Sequence, residues 1–114
     1  MPKRFRLTAD QIKPLATEQG NCLASDRITV DGQPIGYMYR ERSDARTDSG
    51  WRFFAGDESE GYTANPANFE LYDVNTIANY DPGIVTRLDT PAPCAFERDA
   101  ITNEFTAVTP TFEA

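Results

Sequence analysis

Two short aromatic runs, each alternating with a period of two and separated by a polar loop, limit this chain's fold more than any other feature. The first is Ile35-Gly36-Tyr37-Met38-Tyr39-Arg40, the second Trp51-Arg52-Phe53-Phe54-Ala55. Both are too short for stable helices and rich in residues that fit a pleated, half-buried surface. Residues 42–50 between them alternate in charge and end in Ser49-Gly50, which reads as a surface loop. The pattern predicts two neighbouring antiparallel strands. Successive strand residues point to opposite faces. Ile35, Tyr37 and Tyr39 are therefore set against Met38 and Arg40, and Trp51, Phe53 and Ala55 against Arg52 and Phe54. Trp51 and Phe53 are expected in the core with Arg52 toward solvent. Arg40 and Arg52, on adjacent strands, are expected on one side of the sheet, where they either receive a carboxylate together or pair with Glu41 and Asp57.

Other segments supply a small helical complement. Thr8-Ala9-Asp10-Gln11 fits a capping box and opens a helix predicted over residues 9–17. Ile12, Leu15 and Ala16 share its apolar face, Pro14 shortens or kinks it, and it ends before Gly20. Residues 22–30 read as a strand with an interruption near Asp26, followed by the turn dipeptide Asp31-Gly32. An acidic, turn-rich connection runs from Asp57 to Asn68. Phe69 to Val74 alternates as a strand, with Phe69, Leu71 and Asp73 opposite Glu70, Tyr72 and Val74. Asn75 is expected to cap a short helix through Asn79, and Asp81-Pro82 to restart it as N-cap and first helical residue. Ile84, Val85 and Leu88 form the apolar face there. Thr90 to Pro93 reads as a rigid extended linker before last strands at Cys94–Arg98 and Glu104–Val108. The expected fold is α+β: one domain over residues 1–114, a mainly antiparallel sheet, a short N-terminal helix and a short helical patch before the last strands.

Composition then narrows the chemistry. The chain has no histidine and two cysteines. A Ser-His-Asp or Cys-His mechanism lacks its base, and Cys22 and Cys94 supply at most two of the four ligands of a usual zinc site. Two cysteines do not make a disulfide scaffold, so both are expected reduced and buried. Eighteen acids against eleven bases give a net charge of −7, which disfavours nucleic-acid binding. No run approaches the length of a membrane span, and no apolar stretch of signal-peptide length follows the basic start at Lys3 and Arg4. The expectation is a cytoplasmic protein.

The charge is unevenly distributed. Residues 1–52 hold nine bases and seven acids, whereas residues 53–87 hold six acids and Arg87 alone. A patch of one sign favours a partner of the other. Sharper readings of the acids fail. A calcium loop starting at Asp57 would place Gly61, Tyr62 and Asn68 where an oxygen donor, glycine and glutamate are required. Asp57, Glu58 and Asp81 show no spacing that argues for carboxylate catalysis. Gly32, Gly36 and Gly50 do not form a phosphate loop. Asn75, Asn79 and Tyr80 fit caps and turns better than ligand contacts.

Three blocks in order carry a resemblance: Ile35 to Glu41, Asp48 to Glu58, and Tyr72 to Pro82. The middle one, Ser49-Gly50-Trp51-Arg52-Phe53-Phe54-Ala55-Gly56-Asp57-Glu58, is the most specific. Over residues 20–98 the chain resembles the immunity-protein-33-like family of small bacterial proteins, formerly a domain of unknown function. The resemblance implies a protein encoded beside a toxin of a bacterial competition system, which it binds and neutralises, although many relatives stand alone. It carries over no catalytic residue, cofactor or metal ligand. The expected function is non-enzymatic: occlusion of a basic protein toxin by the acidic region from Asp57 to Asp81, anchored by aromatic contacts. Candidate binding residues are Arg40, Trp51, Arg52, Asp57, Glu58, Asn79, Tyr80 and Asp81. The alternative is a stand-alone small-ligand-binding or regulatory domain in which Arg40 and Arg52 receive an anionic group.

Overall fold

The computed structural model describes residues 3–110 of the 114-residue chain. Six strands form one sheet: β1 (Asn21–Ser25), β2 (Tyr37–Arg40), β3 (Asp48–Phe54), β4 (Phe69–Asp73), β5 (Cys94–Arg98) and β6 (Phe105–Val108). Three short α-helices, α1 (Asp26–Thr29), α2 (Glu60–Thr63) and α3 (Val74–Tyr80), join 3₁₀ turns at Ala9–Gln11, Pro66–Asn68 and Pro82–Arg87. The strand order is β4-β1-β3-β2-β5-β6. The fold is α+β around a mixed sheet, because β1 and β3 run parallel while the other described pairs are antiparallel. The β2–β3 pair expected from the aromatic runs is present, with Tyr37 opposite Phe54 and Arg40 opposite Trp51.

Local chemistry explains where the elements differ from the expected ones. The N-terminal helix is only the 3₁₀ turn Ala9–Gln11. Gln11 Oε1 accepts from the Thr8 N–H at 2.8 Å, so half of the capping box starts the turn. Pro14 disfavours helix in the residue before it and ends the element; Leu15 is consequently exposed while Ala16 is buried. The strand expected over residues 22–30 stops at Ser25. Its hydroxyl accepts from the Arg27 N–H at 3.1 Å and caps α1. Asp73, not Asn75, is the N-cap of α3, and Asn75 lies inside that helix. Asp81 caps the 3₁₀ turn with Pro82 in first position, as expected.

The loop after β2 is shorter than its charge pattern suggests, because β3 begins at Asp48. The parallel register shifts between Asn21 and Leu23, opposite Asp48 and Arg52. Gly50 makes this possible. Its φ is +87°, and a Cβ there would stand 2.1 Å from the Glu41 carbonyl oxygen. Asp48 Oδ1 accepts from the Gly50 N–H, and Ser49 Oγ accepts from the Trp51 N–H while donating to the Asn21 carbonyl.

Among the described residues the main hydrophobic cluster lies on one side of the sheet. Cys22, Ala24, Met38, Trp51, Phe53 and Phe96 pack there against Ile28 of α1, Val74, Ile77 and Ala78 of α3, and Ile84 and Leu88. Ile35 belongs to this core, not to the face of Tyr37 and Tyr39, because it precedes the strand and its pleat. Trp51 is wholly buried, stacks on Phe53 with ring centroids 5.9 Å apart, and donates Nε1–H to the Leu88 carbonyl at 3.3 Å. Cys22 is fully buried, whereas Cys94 is only half-buried, a departure from the expected pair of buried thiols. Strands β3 and β2 stand between them, which sets the two cysteines about 14 Å apart across three strand spacings. That is roughly twice the reach of a disulfide.

Candidate functional site

On the opposite face of the sheet, the short helix α2 and the Pro66–Asn68 turn lie beside the strands at one end. β2 sends Tyr37 and Tyr39 to this face, β3 sends Arg52 and Phe54, and β4 sends Phe69 and Leu71. Leu71 is 73% exposed. The rings form a continuous row. Tyr39 stacks on Phe54 at 5.8 Å and 14°, Tyr37 is tilted against both at 6.0 Å, and Phe69 meets Phe54 edge-on at 5.7 Å. Tyr62 of α2 meets Phe69 edge-on and closes one end. Ala95, buried, also lies on this face, with Tyr39 and Val108 opposite it on the neighbouring strands.

Three depressions follow the row. The largest, about 590 Å³, is lined by Gly36, Tyr37, Tyr39, Phe54, Glu58 and Glu97 among others. A second of about 400 Å³ lies between Tyr39, Phe54, Phe69 and the end of α2. A third of about 280 Å³ lies over Leu23, Arg52 and Leu71. Burial raises the phenol pKa of both Tyr37 and Tyr39, with the carboxylates of Glu97 and Glu41 adding to it respectively. Both phenols are therefore neutral at physiological pH and present uncharged ring faces.

Charge is arranged around these rings. Arg52 donates Nε–H to Glu41 at 2.8 Å and both terminal nitrogens to Asp48 at 2.9 Å. Those hydrogen bonds hold the Asp48 carboxyl well below the usual range and raise the guanidinium. Arg52 is thus neutralised in place. Glu58 accepts from the Ala55 and Gly56 N–H groups at 2.8 Å each, which fixes its carboxylate at the rim, and it forms no ion pair among the described residues. Glu97 lies opposite Tyr37 on β5 and carries no ion pair among the described residues.

The candidate residues chosen from sequence separate into different environments. Arg40 and Arg52 do not share a face. The register pairs Arg40 with Trp51 and Tyr39 with Arg52, so Arg40 turns to the core side. There it lies over the Trp51 ring at 5.6 Å and donates to the carbonyls of Ser49 and Thr90. A joint anion receptor is excluded by that geometry. Trp51 is core, as expected. Asp57 forms a two-point pair with Arg27, not with Arg52. Asp81 is buried with Arg98 in a two-point ion pair at 2.7 and 3.1 Å, and also accepts from the Ile35 N–H. Asn79 holds the Lys13 backbone from both sides, and Tyr80 Oη accepts from the Leu7 N–H. Of the eight candidates, Arg52 and Glu58 belong to the open face.

Tyr37 and Tyr39 could be read from sequence, beside Trp51-Arg52, as an exposed aromatic surface, but they were not among the chosen candidates, and neither were Phe54 and Glu97. The signal was available in the alternation itself. Once Trp51 and Phe53 are placed in the core, Phe54 must face away, and a partner strand with its own aromatic alternation must present a matching set. The acidic stretch from Asp57 to Asp81 is not one surface: Asp57 meets Arg27, Glu70 meets Lys3 on the core side, and Asp81 is buried.

Among the described residues no group of histidine, cysteine or carboxylate side chains is placed to hold a metal ion. No helix there is long and apolar enough to cross a membrane. The family model of the Immunity protein Imm33 domain matches residues 22–109, which takes in the sheet from β1 to β6. No curated protein and no solved structure matches the chain. The match spans most of the 114 residues, and the chain belongs to the Imm33 immunity-protein family.

Proposed function

We propose that this member of the Imm33 family is a non-enzymatic immunity protein that binds a protein toxin in the bacterial cytoplasm and neutralises it by occlusion through the open sheet face. The observation that carries the reading is the row of rings Tyr37-Tyr39-Phe54-Phe69 on the sheet face away from the main core. Aromatic side chains bring large contact area at low entropic cost and dominate binding hot spots. Two rim carboxylates, Glu58 and Glu97, favour a basic partner surface. The docking face thus replaces the Asp57-to-Asp81 stretch as the contact region.

The alternative of a stand-alone domain receiving an anionic ligand on Arg40 and Arg52 has lost its receptor, since the two lie on opposite faces with their donors engaged. Co-expression with the product of the neighbouring gene tests the main reading. Protection from that product together with a stable complex is expected. Neither protection nor a complex would defeat it. In the complex, Phe54→Ala should weaken binding by more than tenfold, as loss of a central hot-spot ring does.

A further inference from the structure

The sheet ends in the edge strands β4 and β6, whose outer backbone groups differ. In an antiparallel ladder alternate residues turn their N–H and C=O groups toward the neighbouring strand, and those between turn them outward. At the β6 edge the Asp99 N–H donates to the Glu104 C=O, so Thr106 faces β5 while Phe105 and Ala107 turn outward. Arg87 covers that edge with a hydrogen bond to the Phe105 C=O at 3.0 Å. At the β4 edge the Val74 N–H donates to the Gly20 C=O in the register of the β1–β4 pairs. Glu70 and Tyr72 therefore face β1, and Phe69, Leu71 and Asp73 turn outward. The Phe69 N–H is taken by the Pro66 C=O. Lys3 binds Glu70 and the Ala67 C=O but does not bond to Leu71. Among the described residues nothing bonds to the outward N–H and C=O of Leu71 or to the Asp73 N–H, and the Leu71 side chain is 73% exposed. An open strand edge of this kind is a template for a further strand.

We infer that β4 is a self-pairing edge: two copies of this chain join antiparallel across a two-fold axis at Leu71 and make one continuous sheet. The occupant is a second copy because the strand is complementary to itself in that register. The Leu71 N–H and C=O meet those of the second copy's Leu71, and the Asp73 N–H meets the second copy's Phe69 C=O. Pairing stops there, because the Phe69 N–H is already engaged. Residues directly opposite one another share a face and interact. Leu71 meets Leu71 and covers its exposed side chain, Phe69 meets Asp73, and Glu70 meets Tyr72, so no carboxylates are opposed. Neighbouring registers fail on charge or polarity. An axis at Glu70 or Asp73 opposes two like carboxylates, and one at Tyr72 sets Leu71 against Asp73. The pair is closed at β4, and the edges that remain are the β6 strands that Arg87 covers. The inference is independent of the toxin reading.

Sedimentation velocity of the full chain across a range of concentrations tests the pairing. A pair of five-residue strands lies at the small, transient end of protein interfaces, so a monomer–dimer equilibrium centred at about 100 µM is expected. Amide resonances should shift with concentration at Leu71 and Asp73 and stay fixed at Phe105 and Ala107. Leu71→Pro removes the outward N–H, which bonds nothing within the monomer, and should abolish the dimer while the far-ultraviolet circular dichroism is unchanged. Leu71→Lys keeps that N–H, opposes two cations at the axis and should weaken the dimer severalfold; it decides the matter should Leu71→Pro fail to fold. A monomer at every concentration, a dimer indifferent to both substitutions, or concentration-dependent shifts that map to β6 or to the aromatic row overturns the self-pairing. A monomer whose complex with the neighbouring gene's product is lost in Leu71→Pro would overturn it too, and would give the edge to a strand of that product.

Discussion

At the scale of single residues, burial separates the core members of the aromatic set from those on the other face of the sheet. Trp51 is enclosed by Phe53, Phe96 and the Arg40 guanidinium, and its indole N–H is satisfied by a backbone carbonyl. Trp51→Ala should therefore lower stability by about 3–5 kcal/mol, read by urea unfolding. A stable Trp51→Ala protein would mean that the ring is not core. Asp81 and Arg98 pose a different problem. Each side chain is 11% exposed, and together they tie the turn after α3 to β5, while Asp81 also anchors Ile35 before β2. Removing one member leaves the other charged, buried and unpaired. Arg98→Met should cost about 3–5 kcal/mol, and the double variant Arg98→Met with Asp81→Asn should recover part of it. Strict additivity in that double-mutant cycle would deny the coupling.

At the scale of elements, α3 does two jobs from its two sides. Val74, Ile77 and Ala78 enter the core, while Asn75 and Asn79 hold the N-terminal segment. Asn75 Oδ1 accepts from the Leu15 and Ala16 N–H groups at 2.8 Å each, and Asn79 brackets Lys13. This is why the segment after Ala9–Gln11 stays in place once Pro14 has ended the helix. Asn75→Ala removes two acceptors at once. Amide exchange at Leu15 and Ala16 should then rise by about tenfold, the equivalent of losing one to two kcal/mol locally, with core amides of β3 unchanged. Equal acceleration across the core would show a global effect instead.

The same elements show what the amino-acid order reveals and what it hides. Alternation is a local property, so the β2–β3 pair and the core position of Trp51 and Phe53 were legible. So was the Asp81-Pro82 start, because capping acts over two or three residues. Which alternating sets share a face is decided by register, and register depends on the turn. The loop residues Asp48 to Gly50 proved to be strand, and Arg40 came opposite Trp51, not beside Arg52. The parallel β1–β3 pair was not legible either. It arises because β2 and β3 insert as a unit next to β1, a choice made by long-range packing. The open face itself follows from a non-local fact: α1, α3 and the Pro82–Arg87 turn all pack on one side.

At the scale of the whole molecule, folding undoes most of the charge polarity of the chain. The slightly basic first half and the acidic remainder are cross-linked by Arg27 with Asp57 and Lys3 with Glu70, while Arg52 is neutralised within the first half by Glu41 and Asp48. Net charge of −7 is then a property of the surface as a whole, with local excess at Glu58 and Glu97, which form no ion pair among the described residues. Paired carboxylates make stability depend on pH in a definite direction. The hydrogen bonds from Arg52 lower the Asp48 pKa below its unfolded value of about 3.9, and Arg27 lowers Asp57 in the same sense. A depressed carboxylate contributes stability that is fully present above the unfolded pKa and is lost as pH falls through the folded one. Stability should therefore be nearly flat from neutrality to about pH 5, then fall steadily toward pH 2. In Asp48→Asn the neutral-pH stability should be lower and the acid slope shallower, because the group that takes up the proton is gone. Thermal melts at stepped pH read both quantities. An unchanged acid slope in Asp48→Asn would mean that Arg52 draws nothing from this partner in the folded state, and would leave its guanidinium available at the floor of the open face.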